Sequence, residues 1–363
     1  MKNLTVKFLK ADNGDATLIR FLDENQHVRH ILIDGGQYFS DYEDEIFEIY
    51  QQGYKLDLVI ITHYDDDHIK GIVELVEEYY DKDFVQKIWW NSCKLIAPNH
   101  KVKCSLDEIA YRLNIRKSKK VSFDQAICLE DFVEEHSLLM NNNLVYISDN
   151  KENFKKVYSF YNVKLTLLSP TLSSLETLSK NLKRKKPSKK ISASRGHIEK
   201  SNGIVKLSKV KFSPDNSIHN ASSIAFIFDY QGIKGLFLAD SKTKTIVQSL
   251  KSLGCSEDDP LKPDFVKVAH HGSAGNTSLE FLKLIECENF IISTNSRKHG
   301  HPKKVALARI IKANYDRNLR TNFYFNYHKE SYKSHLFGIF TKRLQEKYNF
   351  TVTFTSKFET LTF

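Results

Sequence analysis

A layered α/β fold is what this sequence predicts, and two observations carry the prediction. Short apolar runs rich in Val, Ile and Phe alternate along the chain with segments of helical periodicity. Charged and imidazole-bearing residues gather just beyond the ends of several of those runs, where the loops of such folds meet their ligands.

In chain order, TVKFL alternates apolar and polar residues as a half-buried strand does, and HILID, LDLVIIT, KLTLL, SIAFIFDY, KGLFLAD, DFVKVAH and NFIIST continue the strand series. Between them, DYEDEIFEIYQQG, IKGIVELVEEYY, SLDEIAYRLN, KTIVQSLKSLG, LEFLKLIE and KKVALARIIKAN carry helical spacing. No tandem repeat and no heptad run interrupts this order. Residues 91–160 are expected as an elaboration between two halves, with His136 on its surface. The aromatic tail, ending in an alternating strand, is expected as a half-buried sheet face, and Trp89 and Trp90 as core.

Composition narrows the partners. With 363 residues, 41% hydrophobic and 27% charged, the chain has the balance of an ordinary folded protein, and its net charge of +10 favours an anionic partner such as nucleic acid, a phosphorylated small molecule or an acidic membrane surface. The five cysteines, Cys93, Cys104, Cys128, Cys255 and Cys287, are odd in number and never spaced C-x-x-C, so neither a disulfide framework nor a cysteine zinc site is expected. A reducing, cytoplasmic location follows as the expectation. The N-terminus lacks the apolar core of a signal peptide, and no apolar run approaches the roughly 20 residues of a membrane span, so no membrane insertion is expected.

One stretch departs from the globular average. KNLKRKKPSKK, Lys180 to Lys190, reads as an exposed loop between strands, either plainly solvated or acting as a phosphate-contacting arm. Lys183, Arg184, Lys185, Lys186 and Arg195 are the candidate substrate contacts there.

The richest signal follows LDLVIIT. His63, Asp65, Asp67 and His68 crowd immediately beyond that strand, and carboxylates this close repel one another unless a cation neutralises them. Imidazole with carboxylate suits Zn, Mn or Fe. His63 and Asp65, two apart in an extended loop, can face one ion, while Asp67 and His68 begin the next turn and can face a second. Three later strands end in similar residues: KGLFLAD in Asp240, DFVKVAH in His270 and His271, and NFIIST in His299 and His301.

These residues resemble the metallo-β-lactamase-fold hydrolases. His63-Tyr64-Asp65-Asp66-Asp67-His68 is similar to the family's H-x-[HD]-x-D-H signature, Asp240 to its bridging aspartate and His301 to its late histidine. Within that superfamily NGDATLI, ILIDGG, HHGS and GHP resemble the ComEC-like branch, a soluble hydrolase domain here without its membrane channel, together with choline-phosphate esterases of similar pattern. The resemblance spans about residues 5–305.

It implies a four-layer αββα sandwich. Residues 1–320 would form the hydrolase domain, with an insertion at about 91–160 and the basic loop at 180–203, and 321–363 a C-terminal extension packed on it. It implies two divalent ions, Zn or Mn, with His63 and Asp65 on the first, Asp67, His68 and His301 on the second, and Asp240 bridging. Asp34 is expected beside the site as an orienting group, with Asn220 and Ser273 near it and His219 as a surface residue. Asp67 is placed to accept the proton of a metal-activated water, and His270 or His271 to protonate the leaving oxygen or hold a phosphoryl oxygen.

The implied activity is metal-assisted hydrolysis, with nuclease or other phosphodiesterase action favoured by the basic charge. A small-molecule phosphodiesterase or phosphocholine-type esterase is the alternative. A non-catalytic, metal-binding regulatory module is the third reading.

Overall fold

The computed structural model describes residues 3–97, 123–149, 155–182, 203–332, 334–355 and 359–363. Lys183, Arg184, Lys185, Lys186 and Arg195, together with the SLDEIAYRLN helix, lie outside the described residues.

The first half of the chain supplies β1 (Thr5–Phe8), β2 (Thr17–Leu22), β3 (Val28–Ile33), β4 (Leu58–Ile61) and β5 (Ile88–Trp90). The second supplies β6 (Val157–Phe160), β7 (Val163–Ser169), β8 (Ala225–Tyr230), β9 (Ile233–Phe237), β10 (Phe265–Lys267), β11 (Asn289–Ile292), β12 (Thr321–Phe325), β13 (Phe350–Phe354) and β14 (Glu359–Thr362). They form a six-stranded sheet, β14-β1-β2-β3-β4-β5, and an eight-stranded sheet, β13-β12-β11-β10-β9-β8-β7-β6. Each sheet joins an antiparallel part to a parallel part: β3, β4 and β5 run parallel in the first, and β9 to β13 in the second.

Strand alternation sorts the apolar side chains into layers. Leu58 and Ile60 of β4 face the space between the sheets with Phe226, Phe228, Phe237 and Phe265 of the opposite sheet, whereas Val59 and Ile61 face outward onto helices. Each of these phenylalanines, buried to 4% exposure or less, contributes about 1.5–3 kcal/mol relative to an exposed position. A second outer layer, with Val266, Val268, Ile310 and Phe323, covers the other sheet. Helix on sheet on sheet on helix is the expected sandwich.

Helix α1 (Glu43–Gln51) and helix α2 (Asp66–Tyr79) cover the first sheet. α2 buries Ile69, Ile72, Val73, Leu75, Val76 and Tyr79 at helical spacing. Its approach depends on glycine: a Cβ on Gly71 would lie 1.9 Å from the carbonyl oxygen of Gly35, in the turn after β3. That contact draws the start of α2 down against the ends of β3 and β4. The helices Thr243–Ser252 and Lys304–Tyr315 cover the second sheet.

The tryptophans, His136 and the aromatic tail can each be placed. Trp89 and Trp90 are buried, and Phe323, Phe325, Phe340 and Phe350 of the tail belong to the outer core. His136 packs between Tyr80 and Phe132, with ring centroids 4.2 and 4.3 Å away. The tail contributes β12 and β13 to one sheet and β14 to the other. No helix among the described residues is long and apolar enough to cross a membrane.

Candidate metal centre

The carboxyl ends of the parallel strands of both sheets converge on one place. β3 leads to Asp34, β4 to His63, β9 to Asp240 and β10 to His270 and His271. Cross-links between the halves close it: the amide of Ile224 donates to Thr62 O (2.9 Å), and the Ser293 hydroxyl donates to Gly14 O (2.9 Å).

From the first sheet, Asp65 stands at the N-cap of α2, and Asp66 and Asp67 occupy its first turn, where the helix dipole favours acids. An N-cap aspartate ordinarily accepts a backbone amide, but Asp65 makes no such cap. Its carboxylate lies 3.8 Å from Nε2 of His63 and 3.1 Å from Nδ1 of His219. His219 is therefore not the surface residue expected: half-buried, its ring packs 5.1 Å from that of Tyr64. The hydrogen bond to Asp65 raises the His219 imidazole above its ordinary range.

Asp34 accepts from the Thr62 amide and hydroxyl, both at 2.8 Å, and contacts Nδ1 of His68 at 2.8 Å. This leaves Nε2 of His68 turned to the cleft. Asp34 thus lies beside the site, joining Thr62 to His68. Asp67 accepts from Asn13 Nδ2 at 2.9 Å. That reach requires Gly14, since a Cβ there would meet the Asp67 carbonyl oxygen at 1.8 Å.

From the second sheet, Asp240 is 3% exposed and its two oxygens face different imidazoles. Oδ1 lies 3.5 Å from Nε2 of His68 and 3.8 Å from Nε2 of His271, and Oδ2 lies 4.0 Å from Nε2 of His63 and 3.5 Å from Nε2 of His270. Burial pushes the Asp240 carboxyl upward, but His270, His68 and His271 outweigh it and hold it well below the usual carboxylate range. Burial pushes His270 down, yet Asp240 and Asp215 bring it up to about 9.

The second-sheet histidines have partners of their own. Nδ1 of His270 contacts Asn276 Oδ1 at 3.1 Å and Asp215 at 3.4 Å, and Asn220 Nδ2 donates to Asp215 at 2.6 Å. Asn220 therefore stands beside Asp215 and His270. Nδ1 of His271 lies 2.9 Å from the Ser293 carbonyl, and its Nε2 lies 3.7 Å from Asp67 Oδ2. Ser273 closes the turn that follows, its hydroxyl accepting from the Gly275 amide at 3.2 Å.

His301 was expected on the second ion. The described short contacts put His271, not His301, against Asp67, and the His301 ring stands beside His270 with centroids 5.2 Å apart. His270 and His271, expected as acid or phosphoryl contact, both turn Nε2 to Asp240. The backbone is left-handed at both, with φ 47° at His270 and 53° at His271. Burial, reinforced by His270 and His271, pushes the His301 imidazole well below its ordinary range.

The donor set fits divalent metal. Nε2 of His63, His68 and His271 and Oδ1 of Asp240 are buried without a hydrogen-bond partner, whereas such groups are almost always satisfied. Their separations of 3.5–4.0 Å are too long for hydrogen bonds. They match two donors sharing one tetrahedral ion at about 2.0–2.2 Å each, which stand about 3.4 Å apart. Asp15, His68, Asp240 and His271 each offer a donor atom within 4.8 Å of the others.

Asp215, Lys267 and Asn276 had no part in the sequence reading, and Asn13 and Asp15 entered it only within the NGDATLI resemblance. A lysine inside the apolar run of β10 was the one local signal, because a charge in a strand covered on both faces needs a partner.

Residues 9–101, which span β2 to β5 and the His63–His68 cluster, match the family model described as Metallo-beta-lactamase superfamily. No curated protein matches the chain. Among solved structures, MEM-A1, a subclass B3 metallo-β-lactamase from a soil metagenome library, is 11% identical, with 85% of this chain and 88% of that one covered and a TM-score of 0.34. A metallo-β-lactamase with a HARLDQ motif, in an S60 mutant from Cronobacter sakazakii, is 10% identical over 69% and 70%, with a TM-score of 0.32. A long-form RNase Z from yeast is 11% identical, covering 99% of this chain but 41% of that one, with a TM-score of 0.40.

Proposed function

We propose, with the superfamily match over residues 9–101 as premise, that this chain is a metal-dependent hydrolase of phosphodiesters, nucleic acid being the leading substrate class. The observation that carries the proposal is the two-sided Asp240 carboxylate. Its Oδ2 edge gathers His63, His270 and Asp65, and its Oδ1 edge gathers His68, His271 and Asp67. Two such groups sharing one carboxylate suit two ions, and a purely structural site needs no second one.

When bound, two divalent ions lower the pKa of a shared water and stabilise charge on the attacked group. The chain's own residues then do the rest. Asp34 and the Ser293 carbonyl orient His68 and His271, and Asn276 with Asp215 orients His270. Asn13 fixes one oxygen of Asp67, so the other is left to take up a proton from water. His301, buried and neutral beside His270, suits a hydrogen bond to a substrate oxygen instead of a place on an ion. The net charge of +10, with Arg297, Lys298 and His299 exposed on the loop leading to His301, favours a polyanion. The ComEC-like resemblance of NGDATLI, HHGS and GHP points the same way.

The deciding experiment is metal analysis of the purified protein, then Mn- and Zn-supplemented assays on labelled single- and double-stranded DNA, RNA and a chromogenic phosphodiester. Two ions and metal-dependent cleavage of a polymer are expected. Cleavage of the small diester alone would replace nuclease by a small-molecule phosphodiesterase or phosphocholine-type esterase. Failure to bind metal would overturn the enzymatic reading. Replacing Lys183, Lys185 and Lys186 by glutamine should weaken polymer binding and flatten its salt dependence.

A further inference from the structure

Behind His271 lies a pair of opposite charges that the proposed chemistry does not use. Lys267, on β10, is 3% exposed, and Asp15, just before β2, is 5% exposed. β10 is paired on both sides, and Lys267 shares with Phe265 the face between the sheets. An ammonium there is costly unless paired, and it donates to Oδ2 of Asp15 across the gap between the sheets. The other carboxylate oxygen, Oδ1, lies 3.3 Å from Nδ1 of His271.

The tautomer of His271 follows from its other neighbour. The Ser293 carbonyl, 2.9 Å from Nδ1, can only accept, so Nδ1 carries the proton and Nε2 offers its lone pair to the cleft. The left-handed backbone of His270 and His271 does not by itself hold the ring, because such conformations persist only where their surroundings impose them. Asp15 Oδ1, like the donors in the cleft, is buried without a hydrogen-bond partner, and Asp15 falls within the 4.8 Å group with His68, Asp240 and His271, so burial and proximity alone would admit it as a ligand. It meets His271 on the Nδ1 side, behind the ring, while Nε2 faces Asp67 and Asp240.

We infer that Asp15 is a positioning residue that fixes His271 for the second ion, and that Lys267 keeps it in that role by occupying its remaining oxygen. Removing the lysine would free a buried carboxylate to compete for the metal. Removing both charges while keeping an acceptor behind His271 would preserve the site. The inference rests on the two-ion reading above.

The test compares Co2+ titrations, followed by visible absorption, of the wild type and two double variants, with circular dichroism to verify folding. Asp15→Asn with Lys267→Met keeps an acceptor and is expected to bind the second ion within about threefold of wild type. Asp15→Leu with Lys267→Met is expected to weaken the second ion about 10–100-fold and leave the first unchanged. A wild-type second-ion affinity in the leucine variant would overturn the inference. So would a second-ion loss in the asparagine variant as large as in the leucine one, with an altered cobalt spectrum, since Asp15 would then be a ligand. A wild type that binds fewer than two ions would instead sink the two-ion reading. Should both variants fail to fold, the Lys267→Met single variant decides in the same Co2+ titration: an altered cobalt spectrum and a changed second-ion affinity are expected as the freed Asp15 carboxylate competes for the metal, and a wild-type titration would refute the role given to the pair.

Discussion

The two sheets build their shares of the centre differently. The first delivers His63, Asp65, Asp67 and His68 in six consecutive positions, where β4 gives way to α2. The second delivers Asp240 and the His270–His271 pair from two separate strand ends and orients them through Asp215, Asn276 and Ser293, which are scattered along the chain. A contiguous cluster encodes its own geometry, because a strand end and a helix start fix where its side chains point. A dispersed one depends on loops to aim it.

Substitutions can break that contrast, beginning at the joint between the two shares. Asp240→Ala should reduce hydrolysis by on the order of a thousandfold and lower the metal content while circular dichroism stays unchanged. Full activity would mean that the halves do not meet through Asp240. Next, His63→Ala and His271→Ala should each remove one ion, and a different one, each with a loss of activity on the order of a hundredfold. Calorimetric titrations that show the same ion missing from both would dissolve the two-edge description. Asp34→Asn, which loosens His68 without touching the cleft, should cost about 10–100-fold in metal affinity.

A smaller effect is expected from His301→Ala: two ions retained and activity reduced about tenfold. A metal count lowered by one would restore His301 to the second ion.

The least effect on the centre belongs to a first-sheet histidine away from it, whose readout is stability. His30 on β3 is buried, and burial lowers its imidazole to about 4. The unfolded chain has its histidine at an ordinary value near 6.5 and so binds a proton between pH 6.5 and 4 that the folded protein does not. Stability therefore falls as pH drops through that window and recovers as it rises, by about 3 kcal/mol in all. Urea unfolding of His30→Gln should show a flatter dependence between pH 4 and 6.5, and an unchanged slope would assign the acid sensitivity elsewhere.

How much was legible in the sequence follows the same division. The layered α/β class could be read because its strands are continuous apolar runs, the H-x-D-x-D-H stretch because spacing alone puts its side chains together, and the sandwich only through the resemblance that stretch carries. Short or polar strands such as β5 and β6 escaped, having too few residues to show a period. Which late histidine would face Asp67 was not readable, since it depends on left-handed backbone at His270 and His271 that no side-chain pattern announces. His219 was misplaced because its partner, Asp65, lies far off in sequence. The Lys267–Asp15 pair was hidden for the same reason, and because a lysine in a strand ordinarily reads as its solvent face.

The stitching of the sheets by the chain's far end bears on synthesis as well as on shape. β1 pairs on one side with β2, but its other edge pairs with β14, Thr5 standing opposite Thr362. A ribosome making this protein releases β1 long before its second neighbour exists. For that interval the first strand offers an open edge to any other nascent chain, and closing it is a long-range step of the slow kind. Chaperone demand should therefore depend on how soon residues 359–362 follow. Pulse-labelled chains halted before β14 should crosslink to holdases more than finished ones.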